Sequence, residues 1–264
     1  MVQVKVVILA GGLGTRLREE TEYRPKPMVE IGGRPILWHI MKIYASHGFK
    51  DFIVCLGYKG NMIRDYFLNY QIRNCDFTIA LDTQKIDVHG NHSETGWKVT
   101  LVETGDTTNT GGRVRKVRSY LDGMPFMVTY GDGVADVDIS RLVEFHRRHG
   151  RLGTVTGVRP SSRYGELSIR DDMVRVFQEK PQVREGCING GFFVFEPAVL
   201  DLIEGDHSAL EDGMLSGLAE RGELAVYRHE GFWQCMDTYR EMQMLNQMWE
   251  RERAPWAVWQ QRCP

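Results

Sequence analysis

The sequence has no excess of either charge. It contains 33 basic and 35 acidic side chains among 264 residues, which gives a formal net charge of −2. Proteins that bind nucleic acids usually carry a basic excess. We therefore expect no nucleic-acid partner, and we expect individual cations to act locally.

Cysteine is scarce as well. The five cysteines are scattered, their number is odd, and no C-x-x-C motif occurs. A disulfide framework would need an even set at regular spacings, so the pattern indicates a reducing, cytoplasmic compartment. Cys55 and Cys187 lie in apolar runs, which predicts that both thiols are buried.

Long apolar segments are missing too. The run "VKVVILA" (4–10) is far too short to span a bilayer, and Gly-Gly follows it instead of a typical cleavage site for a signal peptide. We expect no membrane association. No repeat, low-complexity tract or linker divides the chain, so we predict one domain over 1–264, with halves 1–150 and 151–264.

What is present is an alternation of strand and helix patterns through residue 150. Apolar runs typical of buried strands occur at 4–10, 51–57, 76–81, 97–103 and 125–134. Helical patterns occur at 34–48, 61–70, 112–121 and 138–150. This alternation predicts an α/β fold, with a Rossmann-like, mostly parallel sheet and helices on both faces. Strand patterns dominate after residue 150, so the C-terminal half should be β-rich.

The first strand runs into the glycine-rich stretch "LAGGLGTRL" (9–17). The dinucleotide fingerprint G-x-G-x-x-G lacks its third glycine here, and no Walker sequence occurs. Glycines allow backbone N–H groups to surround an anion. Arg16 could grip phosphate oxygens, and Lys26 stands on a stiff Pro-Lys-Pro segment. The stretch therefore predicts a phosphate-binding loop of another kind.

Together, "LAGGLGTRL", Thr21 and "PKPM" resemble the signature of the sugar-1-phosphate nucleotidyltransferases. The segments "YGDGVADVDI", "FQEKP", "INGGFFV" and "GFWQCMDT" are similar to the cytidylyltransferase branch of that family. The resemblance covers almost the whole chain. It implies a GT-A-like fold with a sugar-binding C-terminal part, Mg²⁺ as cofactor, and a homo-oligomer. It also implies CTP and α-D-glucose 1-phosphate as substrates, with CDP-glucose and pyrophosphate as products.

The resemblance also implies roles for individual residues. The expected nucleotide-binding residues are Leu9, Ala10, Gly11, Gly12, Leu13, Gly14, Thr15, Arg16, Lys26, Thr108, Arg113 and Gly131. The expected sugar-phosphate-binding residues are Tyr164, Gly165, Glu179, Lys180, Asn189, Gly190 and Trp233. The expected catalytic residues are Arg16, Lys26, Asp132, Lys180 and Asp237.

Asp132 and Asp237 are the expected metal ligands. Asp132 follows a predicted strand, at the edge where open α/β sheets bind ligands, and carboxylate oxygens suit Mg²⁺. Thr238 and Glu241 form a T-x-x-E capping box, which leaves the side chain of Asp237 free for another task.

Other readings remain open at this point. The donor could be dTTP or UTP, and the acceptor another sugar 1-phosphate or a phosphonate. A non-catalytic regulatory homologue should have lost the loop arginine or a metal carboxylate, and this chain retains both. The sequence leaves open the oligomeric state, the role of residues 82–96 and the pathway that uses the product.

Overall fold

A seven-stranded sheet forms the centre of the computed structural model, which describes residues 4–160, 166–170, 173–178 and 186–260. The strands within these ranges are β1 (Lys5–Leu9), β2 (Glu30–Ile31), β3 (Arg34–Pro35), β4 (Asp51–Leu56), β5 (Asp76–Ala80), β6 (Lys85–His89), β7 (Lys98–Glu103), β8 (Phe126–Tyr130), β9 (Gly133–Ala135), β10 (Gly153–Val158), β11 (Glu166–Arg170), β12 (Met173–Gln178), β13 (Ile188–Phe195), β14 (Leu224–His229) and β15 (Trp233–Cys235).

The helices lie mainly between these strands. They are α1 (Arg18–Thr21), α2 (Ile36–Ser46), α3 (Gly60–Leu68), α4 (Tyr70–Asn74), α5 (Thr110–Lys116), α6 (Ile139–His149), α7 (Ser216–Glu220) and α8 (Tyr239–Glu250). Short 3₁₀ turns occur at Lys26–Met28, Arg118–Tyr120 and Pro197–Leu202. A π-helical turn, Leu210–Leu215, leads directly into α7.

The central sheet is mostly parallel, as the strand–helix alternation predicts. Its order is β14-β10-β13-β8-β1-β4-β7. Only β13 runs against its neighbours, pairing antiparallel with both β8 and β10. Because β13 is reversed, its amino end lies at the same edge of the sheet as the carboxyl ends of β1 and β8.

Two hydrophobic cores cover the two faces of the sheet. Strand β1 shows the division clearly, because Val6 and Ile8 pack into one core while Val7 and Leu9 pack into the other. Helix α2 lies over the first core with eight buried side chains. Burial on both faces explains why β1 is a continuous apolar run.

Two local expectations need correction. The predicted strand at 76–81 forms β5, but it pairs with β6 in a separate hairpin outside the central sheet. The long connection 82–96 therefore contains a strand. Cys187 is exposed although Cys55 is buried as predicted, because β13 enters the core only after its first residues.

Within the described ranges, no helix has both the length and the apolar character needed to cross a membrane.

Candidate active site

A cleft of about 870 Å³ opens at the carboxyl edge of β1 and β8. Every predicted site residue that the structure describes lines it: Leu9, Ala10, Gly11, Gly12, Leu13, Gly14, Thr15, Arg16, Lys26, Thr108, Arg113, Gly131, Asp132, Asn189, Gly190, Trp233 and Asp237. Tyr164, Gly165, Glu179 and Lys180 lie outside the described residues. The central sheet therefore brings segments from both halves of the chain to one place.

The loop after β1 offers backbone donors to this cleft. Gly14 adopts φ +63°, a left-handed conformation that favours glycine. The hydroxyl of Thr21 donates to the carbonyls of Gly14 (3.1 Å) and Leu17 (2.9 Å), which fixes the loop from below. Within the described part of the chain, the backbone N–H groups of residues 12–16 have no hydrogen-bond acceptor. Such a row of unpaired amides suits an anion.

Arg113 supports the same loop from the other side. Its guanidinium is buried and donates to the carbonyl of Leu56 (2.9 Å), the carbonyl of Gly11 (3.0 Å) and the hydroxyl of Thr104 (2.7 Å). A Cβ atom at Gly11 would lie 2.0 Å from this guanidinium, so the close approach requires glycine. The side chain reaches the cleft wall, but these hydrogen bonds direct its donors towards the protein.

Four charged side chains meet at the centre of the cleft. The ammonium of Lys26 donates to Asp132 (2.6 Å) and to Asp237 (2.5 Å). Arg16 contacts the other carboxylate oxygen of Asp237 at 2.7 Å. Lys26 and Asp237 are buried, whereas Arg16 is largely exposed. The structure thus joins four of the five predicted catalytic residues in one cluster.

The charges in this cluster stabilise one another. Burial alone would lower the pKa of Lys26, but the charge of Asp132 and hydrogen bonds to both carboxylates raise it above its usual value. Burial would likewise raise the pKa of Asp237, but the hydrogen bond and charge of Lys26, with the charge of Arg16, lower it. Lys26 and Asp237 are therefore both ionised near neutral pH.

Local structure explains how two distant carboxylates come together. Strand β15 pairs with β9, and the amide of Met236 donates to the carbonyl of Asp132 at 2.8 Å. Asp237 follows at the start of α8, where Thr238 and Glu241 form the predicted capping box. Because these two residues cap the helix, the carboxylate of Asp237 can face Lys26.

The described residues that were expected to bind the sugar form a second wall of the cleft. The indole of Trp233 donates to the carbonyl of Gly190 at 2.7 Å. The amide oxygen of Asn189 accepts from the backbone of Gly191 at 2.8 Å. The antiparallel strand β13 therefore connects to β15 beside the charged cluster.

Sequence reasoning missed several residues of the cleft. Tyr130 precedes the predicted Gly131 and Asp132, so its position next to a ligand-binding turn was a usable signal. Near the expected nucleotide contacts Thr108 and Arg113, the neighbours Asp106, Thr107, Asn109 and Thr110 also line the cleft. Cys235 also lines it, and it lies in the segment "GFWQCMDT" between Trp233 and Asp237. His207 and Glu211 line it too, but no motif marks them.

The donor set is compatible with a hard divalent cation. Among the described residues, no three His, Cys, Asp or Glu side chains form a metal-binding group. Asp132 and Asp237 nevertheless both contact the ammonium of Lys26. Mg²⁺ commonly uses one or two carboxylates and completes its shell with water and substrate phosphates. The two carboxylates therefore fit a metal that arrives with a phosphorylated ligand.

The fold and the cleft define a protein that handles phosphorylated substrates at the edge of an α/β sheet. Comparison with known proteins is consistent with this. Residues 5–238 match the family described as Nucleotidyl transferase. The chain belongs to this family, which generally uses a divalent metal.

Individual relatives are similar to this chain in sequence along their full length. The chain is 52% identical over 258 residues to Glucose-1-phosphate cytidylyltransferase of Salmonella typhimurium, covering 97% of this chain and 100% of that protein. The protein of the same name from Salmonella typhi gives the same identity and coverage. Among solved structures, UDP-glucose pyrophosphorylase complexed with UDP-glucose is similar in fold, with a TM-score of 0.69, 15% identity, and coverage of 96% of this chain and 100% of that one.

Proposed function

We propose that this chain transfers a cytidylyl group from CTP to α-D-glucose 1-phosphate, forming CDP-glucose and releasing pyrophosphate. The observation that carries the proposal is the cluster of Arg16, Lys26, Asp132 and Asp237 in one cleft. This cluster occurs in a chain that is 52% identical to a glucose-1-phosphate cytidylyltransferase along its whole length.

The reaction joins two polyanions, so its main obstacle is charge repulsion. A phosphate oxygen of glucose 1-phosphate forms a bond to the α-phosphorus of CTP, while the bond from that phosphorus to the bridging oxygen of the β-phosphate breaks. The electron pair leaves with pyrophosphate, and no covalent enzyme intermediate is required. Positioning and electrostatic stabilisation supply most of the catalysis in such phosphoryl transfers.

The residues of the cleft supply those two effects. The amides of the loop after β1 and the guanidinium of Arg16 would hold the triphosphate and stabilise the leaving pyrophosphate. Lys26 would neutralise charge between the two reacting phosphates. Lys180 would orient the attacking phosphate, and Tyr164, Gly165, Glu179, Asn189, Gly190 and Trp233 would contact the sugar, as the family resemblance implies.

Asp132 and Asp237 would hold Mg²⁺. When bound, the ion neutralises phosphate charge and acts as a Lewis acid at the phosphoryl oxygens. Contacts with Lys26 and Arg16 hold the two carboxylates near each other, so both could bind the same ion.

A turnover assay across nucleotides tests the proposal. The purified chain is mixed with glucose 1-phosphate and CTP, dTTP, UTP, GTP or ATP, with magnesium or with EDTA, and pyrophosphate release is followed. We expect turnover with CTP, dependence on magnesium, and CDP-glucose as the product identified by mass spectrometry. Equal or faster turnover with another nucleotide would refute the assignment of CTP.

The Lys26→Ala variant tests the central cation in the same assay. Loss of one preorganised donor of this kind typically reduces kcat by about 10²–10³. An Lys26→Ala variant that works at the parental rate would show that Lys26 does not have the proposed role.

We also infer a homo-oligomer that works in the cytoplasm. The β5–β6 hairpin projects from the central sheet and exposes Phe77, Ile79 and Ile86 on paired strands. Such apolar side chains, together on one small sheet, suit a contact between copies of the chain. Light scattering after gel filtration measures the mass, and a monomer at micromolar concentration would contradict this inference.

A further inference from the structure

A chain of hydrogen bonds crosses the cleft beside the charged cluster. The hydroxyl of Thr110 donates to one carboxylate oxygen of Glu211 at 2.9 Å. The phenol of Tyr130 donates to the other oxygen of Glu211. The side-chain amide of Asn189 in turn donates to the phenol oxygen of Tyr130 at 3.2 Å. All four residues line the cleft, and together they connect α5, β8 and β13.

An unusual backbone places Glu211 in this chain. It lies in the π-helical turn Leu210–Leu215, and the amide of Leu210 donates to the hydroxyl of Thr110 at 2.8 Å. The same hydroxyl therefore anchors the start of the turn and contacts the Glu211 carboxylate. π-helical turns are rare and occur frequently at functional sites.

The chemistry of these groups fixes the direction of each hydrogen bond. The hydroxyls of Thr110 and Tyr130 each donate to one oxygen of Glu211. The phenol oxygen of Tyr130 is then left as an acceptor. Asn189 must present its NH₂ group to this oxygen, because its carbonyl oxygen already accepts from Gly191. Burial, followed by the hydrogen bond and charge of Glu211, raises the pKa of Tyr130, so the phenol stays protonated.

The charge of Glu211 indicates which part of the substrates it serves. A carboxylate repels phosphate groups, so its position suits a neutral, hydroxyl-bearing part of a substrate. The series of hydrogen bonds ends at Asn189, which is next to Gly190 in the sequence. The carbonyl of Gly190 accepts from Trp233 on the sugar-side wall. Asn189 is exposed in the cleft and its amide is held in one orientation.

We propose that Glu211 is a positioning residue for the acceptor sugar: it orients Tyr130, and through it Asn189, to present fixed hydrogen-bonding groups to the pyranose hydroxyls. This inference rests on the proposed function. It makes Tyr130 a direct contact of the sugar and Glu211 a residue that acts through Tyr130.

Steady-state kinetics separate this role from general support of the cleft. We compare Glu211→Gln and Tyr130→Phe with the parent, and use Asp212→Asn as a matched control, because Asp212 is the exposed neighbour in the same turn. Both test variants should raise KM for glucose 1-phosphate by roughly tenfold, as expected for one misplaced hydrogen bond. Their KM for CTP should stay within about twofold of the parent value, and the control should match the parent in both.

A second measurement uses binding alone. Isothermal titration with glucose 1-phosphate should give a higher Kd for Glu211→Gln and Tyr130→Phe than for the parent.

If the parent does not turn over CTP but this pattern of binding holds, the proposed reaction fails and the positioning role stands. If the parent is active and both variants keep its KM and Kd for glucose 1-phosphate, the positioning role is wrong and the reaction stands. An equal rise in KM for CTP would also overturn it, since that result indicates general support. Should Glu211→Gln fail to fold, Tyr130→Phe decides.

Discussion

Replacing Lys26 with methionine tests the electrostatics of the cleft without any substrate. The change keeps most of the side-chain volume and removes the ammonium that lies between Asp132 (2.6 Å) and Asp237 (2.5 Å). Arg16 remains against Asp237 at 2.7 Å, but its side chain is 68% exposed. The variant therefore holds two neighbouring carboxylates with one solvent-screened counter-charge.

The expected loss of stability follows from these contacts. Removing one partner of a buried ion pair typically costs about 3–5 kcal/mol. Arg16 compensates part of this cost, and the side chain of Asp132 is 28% exposed, so water relieves another part. We expect the free energy of unfolding to decrease by about 2–4 kcal/mol. A divalent cation that binds the folded state should restore part of it, by about 2.7 kcal/mol at 100 times its Kd.

Urea unfolding in EDTA and in excess magnesium provides the measurement. The control is Lys85→Met, which removes an exposed ammonium 3.2 Å from Asp87 and should cost at most about 1 kcal/mol. A Lys26→Met variant that is as stable as this control in EDTA would refute the reasoning. Failure of magnesium to stabilise Lys26→Met more than the parent would contradict the metal assignment alone.

The pH dependence of this difference has a defined sign. The pKa of Lys26 is raised above 10.5, so its contribution to stability is complete below that pH and disappears as the pH rises through the folded value. The pKa of Asp237 is lowered below 3.8, so its contribution is complete above that pH and disappears as the pH falls through the folded value. These two contributions to the parent's stability should be constant between the limits and should decrease outside them. In Lys26→Met the pKa of Asp237 is no longer lowered by Lys26, so the difference in stability should already begin to narrow above pH 3.8.

Three further predictions concern the supports of the fold and of the loop. Burial lowers the pKa of His39 to about 4 from 6.5, so stability should fall as the pH drops from 6.5 towards 4, and urea midpoints for His39→Gln should lack that slope. In Gly14→Ala the new methyl group would lie 2.7 Å from the side chain of Thr21, on a backbone with φ +63°. We expect thermal melts to show about 1–2 kcal/mol of destabilisation, and steady-state kinetics to show a raised KM for CTP. Arg113→Lys loses the planar guanidinium that donates to two carbonyls and a hydroxyl. The free energy of unfolding in urea should therefore decrease by about 2–3 kcal/mol. An unchanged urea midpoint would contradict the supporting role of Arg113.

Features that depend on neighbouring residues were predictable from the sequence. The apolar run at 4–10 forms β1, and the periodicity of 34–48 marks α2 with its buried face. Asp138 caps α6 by accepting from the amide of Arg141. Each of these depends on interactions within a few residues, so the local pattern contains the information.

Pairing between distant strands was less predictable. The run 76–81 has the composition of a strand, but nothing in it specifies a partner. In the structure β4 pairs with β7 instead, and β5 turns back onto β6 as an exposed hairpin. Strand propensity measures how well a segment suits a sheet, whereas the choice of sheet depends on contacts far along the chain.

The candidate site shows the same division. Short motifs around Gly14, Lys26 and Asp132 mark one wall of the cleft, because close backbone approach and stiff prolines leave a signature. Glu211 has no such signature. It lies in the π-helical turn Leu210–Leu215, and its carboxylate accepts from Thr110, which is 101 residues earlier in the sequence. A carboxylate whose partners come from two other elements, α5 and β8, can be recognised only after those elements have been placed.

The balance of charge in the cleft explains why its neutral donors matter. Arg16 and Lys26 are matched by Asp132 and Asp237, so this group of four contributes no net charge with which to attract a triphosphate. The attraction must come from groups that these carboxylates do not already neutralise, such as the exposed amides of residues 12–16. The glycines are then as necessary as the cations, because in the described part of the chain no carboxylate accepts from the amides of residues 12–16. If residues 12–16 bind a phosphate as we propose, these amides would let it bind while Lys26 still contacts both carboxylates.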